Sequence, residues 1–394
     1  TLGADTNGLA FSNYRIADIN NNGLTAGSNN KVVNDVISEN GILNDTYINK
    51  TSVTVNVIYS IVPISTEGCE GDSFTVTVAI NPEPVVADQE ETVCNEQDLG
   101  VTLNGSENGV AVASYNIIDI NTNGLQAGAS NSIVSNGVSA DALENDTYTN
   151  NSNSPVDVVY TIVPVSSGGV EGGSFTVTVT VNPKPIVADQ EREVCSGEIL
   201  GVDFNASTTI GVDSYSITGI LIDGTESITN INVIDGFTTN SGNPVLGTQL
   251  AANEISDDSF TNTTGASVEV VYTVVPYDAI GCNGDSFTVT VTVNPQPDVA
   301  DQIATPVSSR AALGVTTLGA DTNGLAFSNY RIADINNNGL TAGSNNKVVN
   351  DVISENGILN DTYINKTSVT VNVIYSIVPI STEGCEGDSF TVTV

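Results

Sequence analysis

The residues with the clearest chemical pattern are carboxylates and carboxamides set two apart. Asp18, Asn20 and Asn22 precede Gly23, Asp119, Asn121 and Asn123 precede Gly124, and Asp334, Asn336 and Asn338 precede Gly339. Calcium takes six to eight oxygen ligands, and alternate Asp and Asn side chains can supply three of them from one turn. The twelfth position of such a loop is Asn29 or Ser130, where an EF-hand needs a bidentate Glu. The competing reading is a strand that ends in an Asn-Gly turn, because Asn tolerates positive φ. The turn is the preferred reading, and calcium is the one cofactor the sequence suggests.

The five cysteines form a second pattern. Alignment on Leu-Gly-Val puts Cys94, Cys195 and Ser308 at one position, and a Gly-rich turn puts Cys69, Val170, Cys282 and Cys385 at another. Only residues 191–295 hold both kinds, and both are expected at the N-terminal end of that domain. This predicts a disulfide between Cys195 and Cys282. It would close an 87-residue interval, worth about 4–5 kcal/mol by the chain-entropy estimate. Cys69, Cys94 and Cys385 are then expected as free, buried thiols. Zinc and dithiol chemistry are disfavoured, since there is no C-x-x-C and no His.

Catalysis has little to work with. Without His, a Ser or Cys nucleophile has lost its commonest base. The lysines, Lys31, Lys50, Lys184, Lys347 and Lys366, leave the second and third domains proper without one, which argues against a repeated Lys-Asn crosslink. No catalytic residues are assigned, and the chain reads as a non-enzyme. Asp45-Thr46-Tyr47, Asp146-Thr147-Tyr148 and Asp258-Ser259-Phe260 read as Asx turns leading into strands. A glycan-binding surface is the sharper alternative for these aromatic-polar clusters.

The elements that must position these residues are short strands. Phe74, Val76 and Val78 alternate with threonines, the mark of a half-buried strand. Asn81-Pro82-Glu83-Pro84 ends it, because proline cannot donate to a ladder. The same pattern returns at Phe175, Phe287 and Phe390, at spacings of 101, 112 and 103 residues. Residues 53–62 alternate likewise, and a Gly-rich turn joins them to the Phe74 strand as a long-loop hairpin. No segment keeps a helical apolar period for three turns. The fold class expected is therefore all-β, with tandem immunoglobulin-like β-sandwich domains of about 100 residues arranged end to end.

The domains are read as 1–82, 90–183, 191–295 and 303–394, the first lacking its opening strand. Pro-x-Pro linkers at 83–89, 184–190 and 296–302 restrict bending. The third domain carries extra material around residues 220–253, read as a longer loop or an extra hairpin. Residues 317–394 repeat residues 1–78 letter for letter at an offset of 316, which implies recent duplication of a three-domain block within a longer repetitive protein. Each linker also carries Val-Ala-Asp-Gln, at 86–89, 187–190 and 299–302.

Composition narrows the partners. Asp and Glu total 46 against 9 Lys and Arg in 394 residues, a formal charge of −37. Nucleic acid and anionic membranes are bound through basic patches, so neither is an expected partner. No apolar run has the length of a membrane span. Dense Val, Ile and Thr alternation argues folded β rather than the disorder that acidity alone can signal.

Several runs together resemble the PKD-like repeats of giant cell-surface adhesins of Bacteroidota, including those of gliding motility. They are Val158-Val159-Tyr160-Thr161-Ile162-Val163-Pro164, Gly281-Cys282-Asn283-Gly284-Asp285-Ser286-Phe287, the Asn-Pro-x-Pro linker and Val194-Cys195-Ser196-Gly197. The resemblance covers every repeat. It implies export by the type IX system, an extracellular, cell-surface location and a place in a mobile adhesive filament. The expected role is that filament's structural shaft, with neighbouring repeats of the same chain as partners. The alternative is repeats that themselves bind surface glycans or other adhesin chains, with calcium.

Overall fold

The computed structural model describes residues 2–3, 11–204, 211–226, 237–239 and 246–394. It divides into two compact units, Thr1–Pro183 and Lys184–Val394. Each unit holds two of the repeats, and each repeat has its own buried core. Every named element is a strand. The fold is all-β, in sandwich-like repeats.

The second repeat shows the plan. Its main sheet runs in the order Ser135–Val138, Val112–Asn121, Val156–Ser166, Phe175–Asn182, Gln89–Cys94. A two-stranded ribbon of Gln126–Ala127 and Tyr148–Thr149 faces it across the core. The hairpin pairs Val156 with Val181 and Ile162 with Phe175 without a break in register. Alternation therefore puts Val158, Tyr160 and Ile162 on the same face as Phe175, Val177, Val179 and Val181, none more than 2% exposed. Each such side chain stabilises the fold by about 1.5–3 kcal/mol on burial. The opening strand runs parallel to the last, Gln89 opposite Val177 and Cys94 opposite Asn182.

The third and fourth repeats keep this plan. Gln190–Cys195 runs parallel to Phe287–Asn294, with Cys195 opposite Asn294. In the fourth repeat the opening strand shrinks to Gln302–Ile303, because Pro306 follows soon after and cannot donate to a ladder. Among the described residues the first repeat's sheet has four strands and ends on Phe74–Ile80, so Val78 is 38% exposed.

The third repeat's insertion is partly described. Ser214–Ile222 turns through Asp223 and Gly224, both at positive φ, into Thr225–Glu226, and Gly247–Leu250 also pairs with it. This is an extra hairpin on the main sheet, and residues 227–236 and 240–245 lie outside the described residues.

Candidate functional site: the junctions between repeats

The parallel opening strand decides where the cysteines go. Cys195 ends that strand at the pole where the chain leaves the third repeat, while Cys282 sits in the turn before Phe287 at the other pole. The eight-residue strand Phe287–Asn294 separates them, about 25 Å at the usual rise. The expected Cys195–Cys282 disulfide therefore does not form. Cys195 is bonded instead to Cys385, in the turn of the following repeat, with a Cα–Cα distance of 5.6 Å and 190 residues between them. Cys94 and Cys282 are disulfide-bonded too, so Cys94 and Cys385 are not the free thiols expected. Cys69 is a free thiol, but an exposed one.

Around this bond the linker is seated on the next repeat. A Cβ added to Gly387 would overlap the carbonyl oxygen of Pro297. The same overlap occurs between Gly172 and Pro84 in the first unit, and between Gly284 and Pro185 in the second. Only glycine lets the second proline of Pro-x-Pro approach the turn this closely. A Cβ added to Gly71 would meet Pro63 Cγ at 3.1 Å and no linker carbonyl.

The Val-Ala-Asp-Gln motif completes the seat. Asp88 Oδ1 accepts the N–H of Thr176, Asp189 Oδ1 that of Thr288 and Asp301 Oδ1 that of Thr391, each at 2.6 Å. Those backbone bonds hold the carboxyls of Asp189 and Asp301 below the usual range. Gln89 clamps the same repeat, donating to Thr102 O at 3.1 Å and accepting from Asn104 N–H at 3.0 Å. The sequence shows this motif but not its use, because the acceptor role depends on a strand some 90 residues away.

In the first unit Asn108 reaches back across the junction. Its amide donates to Lys50 O, Thr51 O and Glu83 O at 3.1, 3.2 and 2.8 Å. Glu83 N–H donates to Asn49 O at 2.9 Å. In the second unit Asp321 Oδ2 accepts the N–H of linker residue Asp298 at 2.6 Å, and Thr322 N–H donates to Asp298 O at 2.9 Å.

The candidate calcium residues sit at strand ends. Asp18, Asp119 and Asp334 are exposed. Asn20 Oδ1 accepts the N–H of Asn22 at 3.0 Å, and Asn121 and Asn336 do the same for Asn123 and Asn338 at 3.1 Å. The amides of Asn22, Asn123 and Asn338 donate to Asn56 O, Asp157 O and Asn372 O, 34 residues further along, at 2.8–2.9 Å. Asn22, Asn123 and Asn338 have φ of 48°, 49° and 46°, as an Asn-Gly turn requires. Among the described residues no three acidic, His or Cys side chains group so as to hold a metal ion.

The Asp-x-Tyr motif proves to be a core pin. Asp146 Oδ2 accepts from Tyr160 OH, whose oxygen shares a further hydrogen bond with Tyr148 OH, both at 2.7 Å. Asp146 Oδ1 accepts the N–H of Ser132, also at 2.7 Å. Equivalent sets join Asp45, Tyr47 and Tyr59, and Asp361, Tyr363 and Tyr375. Tyr148 and Tyr160 are at most 2% exposed, so neither can stack on a glycan. In the third repeat Phe260 stands in place of the outer tyrosine, and Asp258 Oδ2 and Tyr272 OH have no hydrogen-bond partner. Burial, with Asp257 and Glu254 adding to it, pushes the Asp258 carboxyl up to about 7. Tyr272 offsets part of that rise without reaching hydrogen-bond geometry.

The curated proteins contain no match. Solved structures similar to the chain include the FN1–FN3 domains of chicken CNTN1, at 10% identity, TM-score 0.26, covering 76% of this chain and 97% of that one. Fibronectin(III)-like modules of Clostridium thermocellum CbhA match at 14% identity and TM-score 0.22, over 53% and 91%. Drosophila N-cadherin EC1-4 matches at 12% identity and TM-score 0.19, over 97% and 91%. At these scores none of them bears on what this chain does. The PKD-like domain matches at residues 4–84, 91–185, 192–297 and 316–394. With nearly all of its length accounted for by these four copies, the chain belongs to the PKD-like domain family.

Proposed function

We propose that this chain forms part of the structural shaft of a repetitive extracellular adhesin filament, of the kind resembled by gliding-motility adhesins such as SprB. The observation that carries this reading is the linker seat. In both units a Pro-x-Pro carbonyl lies against a glycine of the next repeat and a linker aspartate is bonded to its last strand. Such a junction resists bending more than proline alone does, because the linker is anchored as well as stiff.

A disulfide between repeats suits an oxidising, extracellular compartment. No helix among the described residues is long and apolar enough to cross a membrane. PKD-like domains are structural modules, and no enzyme family is indicated. On this reading the −37 charge keeps neighbouring filaments soluble and apart.

Small-angle X-ray scattering on one 316-residue block, with calcium and with chelator, tests the proposal. The expected result is a rod profile that chelation leaves unchanged. A rod that collapses on chelation would put calcium at Asp18 and Asp119 into the mechanism. A globular profile in both conditions would overturn the shaft and favour repeats that bind glycans themselves.

A further inference from the structure

We propose that Cys69 is a covalent docking site, which takes a disulfide from the cysteine that ends the opening strand of a further repeat of the Cys195 kind. Residues 1–78 and 317–394 are identical, so Cys69 and Cys385 occupy the same turn of the same sequence. Cys385 is bonded to Cys195 and fully buried, whereas Cys69 is an exposed free thiol.

The turn presents both sulfurs alike. Ser65 Oγ accepts the N–H of Cys69 at 3.1 Å, and Ser381 Oγ that of Cys385 at 3.2 Å. Ser65 N–H donates to Cys69 O at 3.0 Å, and Ser381 N–H to Cys385 O at 2.9 Å. Beside each cysteine a bidentate ion pair fixes the turn to the sheet, Arg15 with Glu70 and Arg331 with Glu386. Cys69 is thus already in the geometry that bonds elsewhere in this chain.

The positions without cysteine support the same rule. Val170 occupies this turn in the second repeat, which follows the first. The fourth repeat, identical to the first over 78 residues, has Ser308 at the strand-end position. Arg310 N–H donates to Tyr363 O as Gly197 N–H donates to Phe260 O, which fixes Ser308 as the equivalent of Cys195. Carried over to the first repeat by that identity, Ser at the strand end stands ahead of the Val170 turn, as Cys195 stands ahead of the Cys385 turn.

The step is an oxidation. The sulfur of Cys69 and that of the incoming cysteine form one S–S bond, and their two protons go to solvent. Two electrons pass to a disulfide oxidant such as oxidised glutathione, whose S–S bond breaks and whose two thiolates take up the two protons from solvent, so that it leaves as two thiols. The proposal needs only that the repeats form an array, and it stands whether or not that array is adhesive.

The test is an extended chain in which residues 79–316 are placed ahead of the full 394-residue chain, so that a Cys195-bearing repeat precedes Cys69. Thr66→Ser marks the Cys69 peptide apart from that of Cys385. Both chains are held in glutathione buffer, denatured without reduction and alkylated with a maleimide. Labelling of Cys69 should be near complete in the 394-residue chain and near zero in the extended one. Cys195→Ser in the leading copy should restore it, and Cys69→Ser should in turn release the leading Cys195 thiol. Full labelling of Cys69 in the extended chain would overturn the proposal. So would a Cys69–Cys69 dimer as the main product of the 394-residue chain.

Discussion

The first unit holds its junction with hydrogen bonds alone, and the second adds a covalent bond. Linker 83–89 is gripped by Asn108, by the Gly172 seat and by Asp88, with Val170 at the turn. Linker 296–302 has the equivalent Gly387 seat and Asp301, but Cys385 at the turn and a bond to Cys195. The units differ again inside their repeats. The Asp146 pin is complete in the second repeat, and its counterpart at Asp258 lacks a hydroxyl in the third. The comparison separates a shared device from an optional one. The glycine seat and linker aspartate recur with every linker, so they set the geometry. The disulfide is added where the turn residue allows, and it removes the reversibility that bonds of about 0.5–1.5 kcal/mol each would leave.

Breaking the disulfide should give the largest effect. Cys195→Ser with Cys385→Ser removes a cross-link over 190 residues, worth up to about 5 kcal/mol in the chain-entropy estimate. Urea unfolding followed by hydrogen exchange should show loss of protection in peptides from 184–394 and none in peptides from 1–183. Equal loss in both would mean that the bond does not act locally on its own junction.

The glycine seat should come next. Gly172→Ala and Gly387→Ala each force a Cβ onto a proline carbonyl, a cost of about 1–3 kcal/mol for overpacking. Gly71→Ala sharpens the comparison, since it alters the same turn where no linker carbonyl lies close. Thermal melts should place both seat variants well below the wild type and Gly71→Ala within about 0.5 kcal/mol of it. If all three behave alike, the turn's own conformation, and not the linker, is what requires glycine.

Much of this fold was legible because alternation survives folding. Phe175 to Val181 reads as a strand in sequence and buries every second residue in the structure. The strand expected at 53–62 runs as Val55–Ser65. The cysteine pairing was not legible, since it depends on which pole the opening strand ends at. That follows from its parallel pairing with a last strand about 100 residues on, as between Cys195 and Asn294. The Asp-x-Tyr motif was visible as a pattern, but its partners Tyr59, Tyr160 and Tyr375 come from the next long strand. A local reading as an Asx turn had no signal for a buried hydroxyl relay. The linker motif was likewise visible without its acceptor role.

Asp258 tests the second difference between the units. Its carboxyl is raised to about 7 against 3.8 ordinarily, so the folded state holds a proton that the unfolded chain releases. Stability from this group is therefore full below about pH 4 and declines as pH rises to about 7. Asp258→Asn keeps the shape of the protonated acid without the charge. It should stabilise the third repeat at pH 8 by about 1–3 kcal/mol, the usual cost of an unsatisfied buried polar group, and change little at pH 4. A variant no more stable than wild type at pH 8 would show that the buried charge is already compensated.

The linker aspartates should give the smallest effect, with the opposite sign in pH. Asp189 and Asp301 are held below 3.8 by the backbone N–H groups of Thr288 and Thr391. A depressed carboxyl contributes stability above its unfolded value of about 3.9, and that contribution is lost as pH falls through the folded value. Both groups lie at the surface, where solvent screening keeps the gain modest. The amide resonances of Thr288 and Thr391 should therefore titrate with midpoints below 3.8, and Asp301→Asn should abolish the shift at Thr391 alone. Midpoints at or above the ordinary value would mean that the carboxylate does not hold the edge strand. The glycine seat, rather than the aspartate, would then be what both units share.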